Sequence, residues 1–174
     1  MTVRRIVAAN RDGRSTVISD DTGLSNAFAH VPGFDPVLVW QTHTAHGIHP
    51  ATSPVTGQSV VPSIGGTSMF VVTFPPDSVM TAPEFNPQAA GAEYGERLPG
   101  LAELFEAENP GMHTSHTVDY DIVIDGELWC ELDDGEVHLK VGDVLIQHGT
   151  RHAWRNRGDK PATVMFVLLG IPPG

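Results

Sequence analysis

The sequence predicts an all-β domain that folds as an antiparallel barrel or sandwich. Hydrophobic residues make up 40% of the 174 residues and charged residues only 18%, with 18 Gly and 14 Pro. This composition suits many short strands joined by turns better than long helices. After Pro110, five β-like segments follow one another at near-even spacing with turn sequences between them. Such a pattern is typical of an antiparallel meander that closes on itself.

The first 65 residues show little regular pattern. Short β-like pieces occur at residues 4–7, 17–18 and 37–41, and clusters of Asp, Gly, Ser and Pro separate them. We therefore expect residues 1–65 to form a β arm that packs on a barrel made by residues 66–174.

The barrel segment opens with a clear strand, predicted at Thr67–Phe74. This run is β-branched and aromatic, two glycines precede it, and two prolines that cannot continue a paired strand follow it. Further along, Leu101, Leu104 and Phe105 would share one face of a helix, which predicts one short amphipathic helix near residues 100–108. The remaining strands are predicted in the segments VDYDIVID, GELWCELD, EVHLK, GDVLIQ and ATVMFVLLG.

Charge and cysteine content exclude several classes of partner. Ten Lys and Arg stand against 21 Asp and Glu, and the net charge of −11 would repel nucleic acid and anionic membranes. Cys130 is the single cysteine, so no intramolecular disulfide can form, and no segment approaches the roughly 20 apolar residues of a membrane span. We expect a cytoplasmic protein that binds neither nucleic acid nor membranes.

Candidate chemistry is concentrated in two β segments. The side chains that suggest it are those of His113, His116, Asp119, His148 and His152, because imidazole and carboxylate are preferred ligands of borderline divalent metals. If residues 111–124 are extended, side chains alternate between faces. His113, Ser115, Thr117, Asp119 and Asp121 would then share one face, with His116 and Tyr120 on the other.

These segments resemble the two conserved motifs of the cupin superfamily. Asp119 lies seven residues before Gly126, and His152 lies three residues after Gly149 and four before Asn156. The resemblance implies a jelly-roll-like barrel that holds a divalent metal, Fe, Zn, Mn or Ni, with His113, Asp119 and His152. It also implies a homodimer, because cupins commonly pair their barrels.

The sequence departs from the cupin pattern at three positions. Ser115 stands at the place of the second motif histidine, Asp119 replaces a glutamate, and Gln147 stands where proline is usual. His116 could supply the missing ligand if a β-bulge at residues 114–115 turned it inward, and Gln147 is a further possible oxygen ligand.

The longer phrases MHTSHTVDYDIVIDGEL and GDVLIQHGTRHAWRN resemble a subgroup of small bacterial and fungal cupins of mostly unassigned activity, some found beside natural-product pathways. This resemblance implies a small organic substrate. A metal could act as a Lewis acid in dehydration, decarboxylation or isomerisation, or Fe(II) could support dioxygenase chemistry. Alternatively, the barrel binds a small ligand without catalysis.

Three residues near the predicted metal ligands are candidates for proton transfer or substrate orientation. These are Tyr120, Asp121 and Gln147, and strand parity favours Asp121 over Tyr120. The histidines at 43, 46 and 49 recur every three residues, but Gly47 and Pro50 predict an exposed loop there.

Overall fold

The computed structural model of the protein describes residues 2–43 and 58–173. Within these ranges it contains one α-helix, α1 (Pro87–Arg97), and ten strands. The strands are β1 (Val3–Arg11), β2 (Arg14–Leu24), β3 (Asp35–Thr42), β4 (Thr67–Phe74), β5 (Thr117–Asp125), β6 (Glu127–Leu132), β7 (Gly135–Lys140), β8 (Val144–His148), β9 (Ala153–Arg155) and β10 (Ala162–Gly170). None of the described helical segments is both long and apolar enough to cross a membrane.

The strands form two antiparallel sheets and a separate hairpin. One sheet has the order β3-β4-β10-β5-β8, the other has the order β7-β6-β9, and β1 pairs with β2. A single core cluster joins the two sheets, because it includes Val123 and Phe166 from the first and Leu128 and Leu139 from the second. The predicted all-β architecture with one helix is therefore confirmed.

The strand predicted at Thr67–Phe74 is confirmed with the same bounds. It pairs with β10 on one side and with β3 on the other. The five-stranded sheet thus includes β3, a strand from the first 65 residues. The division into an arm at 1–65 and a barrel at 66–174 stays a prediction.

The prediction of a helix near residues 100–108 is wrong, because only a 3₁₀ turn forms there, at Ala102–Leu104. The helix lies earlier, at Pro87–Arg97. Asn86 caps its first turn, since its side chain accepts hydrogen bonds from the amides of Gln88 and Ala89. Proline at the first helical position further favours a start at this point.

Asn156 fastens the loop between β9 and β10 to the body of the barrel. It is 2% exposed, and its Nδ2 donates to the carbonyl oxygens of Phe74 (3.1 Å) and Lys160 (2.8 Å). Its Oδ1 accepts from the amide of Gly158 at 3.1 Å. The side chain thus satisfies three backbone groups of two segments that are distant in sequence.

We expect Asn156→Ala to lower the free energy of unfolding by about 2–4 kcal/mol, because it leaves buried backbone groups without partners. Urea denaturation followed by circular dichroism measures the change. Lys160→Ala is the control, since that side chain is exposed and only its backbone oxygen is used. Equal stability of the two variants would contradict the assignment.

Candidate functional site

The segment that leads into β5 and the strand itself place alternate side chains inside the barrel. His113, Ser115, Thr117, Asp119 and Asp121 are buried, with exposed fractions of 9, 4, 0, 5 and 1%. His116 and Tyr120, between them in sequence, are exposed. The predicted alternation is confirmed, and it brings five polar side chains onto one inward face.

His113 and His152 form a pair at the start of this face. Their backbones exchange two hydrogen bonds of 3.0 Å, and their ring centroids lie 4.3 Å apart. Nδ1 of His113 lies 3.1 Å from the carbonyl oxygen of Gly111, and Nδ1 of His152 lies 2.9 Å from that of Thr150. A carbonyl only accepts, so each Nδ1 carries the proton and each Nε2 keeps its lone pair.

Burial keeps both imidazoles neutral near pH 7. It lowers the pKa of His152 to about 4, with the neighbouring His113 as a further cause. Burial also lowers the pKa of His113 below its usual value. Neutral imidazole is the form that binds metals, so the pair meets the first chemical requirement of a metal site.

Two carboxylates lie further along the same face. Burial raises the pKa of Asp121 to about 7, with a smaller contribution from the charge of Asp119, and burial likewise raises the pKa of Asp119. Nε2 of Gln147 donates to Oδ2 of Asp121 at 2.9 Å, and Oγ1 of Thr150 donates to Oε1 of Gln147 at 2.8 Å. Oδ1 of Asp119 and Oδ1 of Asp121 are buried and have no hydrogen-bond partner.

The side chains of His113, His152 and Asp119 are of the types that bind divalent metals, but the structure brings only the two histidines close together. Two neutral imidazoles with tethered Nδ1 atoms and a buried carboxylate with an orphaned oxygen are suitable ligands. In the part of the chain that the structure describes, however, no three His, Cys, Asp or Glu side chains are grouped closely enough to hold an ion. The structure brings His113 and His152 together, whereas Asp119 as the third ligand stays a prediction.

The structure does not bring His116 or Tyr120 to this face. Ser115 remains inward, with its Oγ 2.6 Å from Oγ1 of Thr117, so the expected reorientation of His116 is not seen. His116 instead lines an outer cavity of about 870 Å³ together with His43. Tyr120 is 43% exposed because strand alternation turns it outward. Of the loop histidines, those at 46 and 49 lie outside the described residues.

Sequence patterns gave no indication of the ion pairs beside this site. Arg151, next to His152, donates to both carboxylate oxygens of Glu106 and to Asp133. The Arg151 guanidinium lowers the pKa of Glu106 to about 2. Phe105, adjacent to Glu106, packs its ring edge-on against His113 at 5.0 Å. The Arg151–Glu106 ion pair and the Phe105–His113 ring contact thus hold the segment before His113 next to the histidine pair.

The part of the chain that carries this site matches a known family. Residues 104–168 match the family model described as a cupin domain. This segment contains His113, Asp119, Asp121, Gln147 and His152. The match is confined to this segment, and there it confirms the resemblance of the motifs to those of cupins.

The curated relatives include proteins named for biosynthesis clusters and proteins named cupin-domain-containing oxidoreductases. The chain is 42% identical over 86 residues to the phomopsin biosynthesis cluster protein C' of Diaporthe leptostromiformis (45% of this chain, 46% of the relative). It is 36% identical over 100 residues to the oryzines biosynthesis cluster protein J of Aspergillus oryzae (56% and 52%). It is 41% identical over 66 residues to the cupin-domain-containing oxidoreductase virC of Hypocrea virens (36% and 34%). The chain thus spans about a third to a half of the length of these relatives.

Solved structures show a more distant likeness. A cupin 2 conserved barrel domain protein from Salinispora arenicola is 13% identical, with a TM-score of 0.42 over 78% of this chain and 75% of that one. A sugar phosphate isomerase from the cupin superfamily of Silicibacter pomeroyi is 15% identical, with a TM-score of 0.43 over 86% and 70%. These sequence identities and TM-scores are too low to support an inference about activity.

Proposed function

We propose that this protein is a metal-dependent cupin enzyme that acts on a small oxygenated organic metabolite in a biosynthetic pathway. The observation that carries the proposal is the buried pair His113 and His152, in which both Nδ1 atoms are hydrogen-bonded to backbone carbonyls. The names of the relatives, biosynthesis cluster proteins and cupin-domain-containing oxidoreductases, support the metabolic setting and favour an oxidoreductase.

We assign His113, His152 and Asp119 as the residues that would hold the ion, which we take to be Fe, Zn, Mn or Ni. When bound, such an ion would polarise a substrate oxygen as a Lewis acid or, as Fe(II), would support oxidation by dioxygen. Ser115 stands at the position of the usual second histidine, and its Oγ lies 2.6 Å from Oγ1 of Thr117.

Asp121 is the residue that we assign to proton exchange with the substrate. Its Oδ1 is buried and free of hydrogen bonds, whereas its Oδ2 is held by Gln147. Thr150 in turn donates to Gln147, so the carboxylate has one oxygen held by a hydrogen bond and one without a partner. This arrangement suits a general acid or base whose orientation is set by its neighbours.

A second candidate function is non-catalytic binding of a small ligand inside the barrel. Ser115 in place of a histidine favours it, as does the lack of a complete three-ligand group among residues 2–43 and 58–173. Such a protein would use the same inward face for recognition alone.

We also propose a cytoplasmic homodimer. The outer face of the sheet near its β8 edge carries apolar side chains, with Tyr120, Val144 and Ile146 exposed by 43, 56 and 45%. Across the described ranges, β8 has a strand partner on one side only, and the β1–β2 hairpin pairs with no other strand. Association of two copies would cover these surfaces. A monomer in sedimentation experiments at micromolar concentration would overturn this part of the proposal.

Elemental analysis of the purified protein tests the enzymatic proposal. We expect close to one Fe, Zn, Mn or Ni per chain, or uptake of one after reconstitution of chelator-treated protein. Ser115→Ala is the matched control, because it changes a buried residue on the same face that is not assigned as a ligand, and it should retain the metal. No metal in the wild type after reconstitution with all four ions would reject the enzyme as proposed and leave the binding protein.

A further inference from the structure

The charge of the chain is unevenly distributed, and the β1–β2 hairpin lies in a part that is not acidic. Residues 1–24 hold four Arg and three Asp, which gives a net charge of +1. The rest of the chain holds six Lys and Arg against 18 Asp and Glu, which gives −12. Two copies of so acidic a chain repel each other, so contact between them is favoured where the hairpin of one copy meets the acidic body of the other.

The hairpin is anchored only at its base. Val3 and Leu24, near its two open ends, pack against Val37 and Val71 on the outer face of the five-stranded sheet. In contrast, every residue from 10 to 17, the hairpin tip, is exposed. A two-stranded hairpin without further packing is marginally stable in water. Contact with a second surface would therefore stabilise the tip.

Most of the exposed large hydrophobic side chains lie on two surfaces. The described residues include eight such side chains, and six of them belong either to the hairpin or to the sheet at its β8 edge. On the hairpin they are Ile6 and Val17, and at the β8 edge they are Tyr120, Val141, Val144 and Ile146, which we call the β8 patch. Ile6 and Val17 share one face of the hairpin, because Val17 lies opposite Ala8 in the β1–β2 register.

The β8 patch continues the surface on which the hairpin base already packs. Tyr120 pairs with Ile146 in the register of β5 and β8. Ile124, four residues after Tyr120 and on the same face of β5, belongs to the cluster that holds Val3 and Leu24. In each copy, its own hairpin base thus covers one part of this outer face and leaves the part near β8 exposed.

The charges at the ends of the two surfaces are complementary. Arg11 and Arg14 lie opposite each other at the hairpin tip, are exposed, and form no ion pair within residues 2–43 and 58–173. Asp125 and Asp143 are exposed at one end of the β5–β8 pair, where the amide of Val123 donates to the carbonyl oxygen of Asp143. Each surface therefore has an apolar centre with charges of one sign at its end.

We propose that two copies associate by crossing their hairpins, so that the β1–β2 hairpin of each lies across the β8 patch of the other. Ile6 and Val17 of one copy pack on Tyr120 and Ile146 of the other, and the hairpin tip points toward the acidic end of that patch. The same contact forms twice around a twofold axis, so both surfaces are covered in both copies. The hairpin strands have nine and eleven residues, close to the roughly 20–30 residues that one side of a stable interface needs. The inference rests on the proposed homodimer and adds which surfaces meet.

Sedimentation equilibrium of the full chain tests this arrangement through the Kd of the dimer. Val17→Asp and Ile146→Asp should each raise the Kd at least about tenfold, because a carboxylate would be buried in an apolar contact. Ile64→Asp is the matched control, since Ile64 is 59% exposed like Val17 but lies outside both surfaces, and its Kd should stay within about twofold of wild type. All three positions are exposed, so far-UV circular dichroism should show an unchanged fold.

The outcomes separate this inference from the homodimer. A wild-type monomer would overturn both. A wild-type dimer with an unchanged Kd in Val17→Asp or in Ile146→Asp would overturn the crossed hairpins and leave the homodimer to be formed by another surface.

Cross-linking between two single-cysteine variants tests which surfaces face each other. Val17→Cys and Ile146→Cys are mixed, allowed to exchange subunits, and treated with a short bismaleimide that joins nearby accessible thiols. We expect a covalent dimer of the two unlike chains, identified by mass spectrometry, and much less product from either variant alone. Native Cys130 is 0% exposed and should not react. A product that joins two Val17→Cys chains as readily, or no product in the mixture, would overturn the inference.

Discussion

Replacement of His152 by alanine is expected to lower the affinity for the divalent metal at least about a hundredfold. His152 supplies one of two neutral imidazoles that the structure places together, and loss of even an outer-shell partner of a metal ligand typically costs about 10–100-fold in affinity. His113→Ala should have the same effect, because both rings are buried and each Nδ1 is hydrogen-bonded to a backbone carbonyl. Competition with a chromophoric chelator measures the affinity for Zn²⁺ or Ni²⁺.

His116→Ala is the matched control for these variants. His116 is exposed on the opposite side of the same segment, so its removal should leave the metal affinity within about twofold. Because His152 is 3% exposed and its removal leaves a cavity, His152→Gln serves as a second variant of similar volume. Unchanged affinity in His152→Gln, or a loss in His116→Ala as large as in His152→Ala, would contradict the assigned ligands.

Local patterns predicted the strands and the faces of this barrel well. The strand at Thr67–Phe74 was recoverable because β-branched and aromatic residues fill it and Gly and Pro bound it. The histidine pair was recoverable from the spacing of the motifs. The helix begins at Pro87 because Asn86 caps it and proline is favoured at the first helical position, whereas the 3₁₀ turn at Ala102–Leu104 has no side-chain cap.

These sequence patterns do not predict how deeply each side chain of the site lies in the barrel. Alternation assigns Asp119 to the same face as His113, but it does not fix the distance between their side chains across the barrel. The ion pair between Arg151 and Glu106 was likewise not predictable from local patterns, since the two residues are 45 positions apart in sequence. Long-range ion pairs and the burial that shifts pKa values depend on how the two sheets pack together, which a single sequence does not encode locally.

Replacement of Asp121 by asparagine is expected to stabilise the metal-free protein by about 3 kcal/mol at pH 8 and to have little effect at pH 4. Burial raises the pKa of Asp121 from 3.8 to about 7. Between these values the unfolded chain has released the proton and the folded protein still holds it, so folding stability falls as the pH rises. The penalty is complete above pH 7, and about 3 pKa units correspond to about 4 kcal/mol at most. Asparagine avoids this cost because it carries no charge, and its Oδ1 can still accept from Gln147.

Urea denaturation of chelator-treated protein between pH 4 and pH 8 measures this effect as the difference between variant and wild type. His113 and His152 destabilise both proteins as the pH falls below about 6.5, since their pKa values are lowered in the folded state, and this contribution cancels in the difference. Asp125→Asn, on the same strand but exposed, is the control variant. A flat difference for Asp121→Asn would mean that Asp121 does not retain its proton in the folded protein, and its assignment as the proton-exchanging residue would then lose its physical basis.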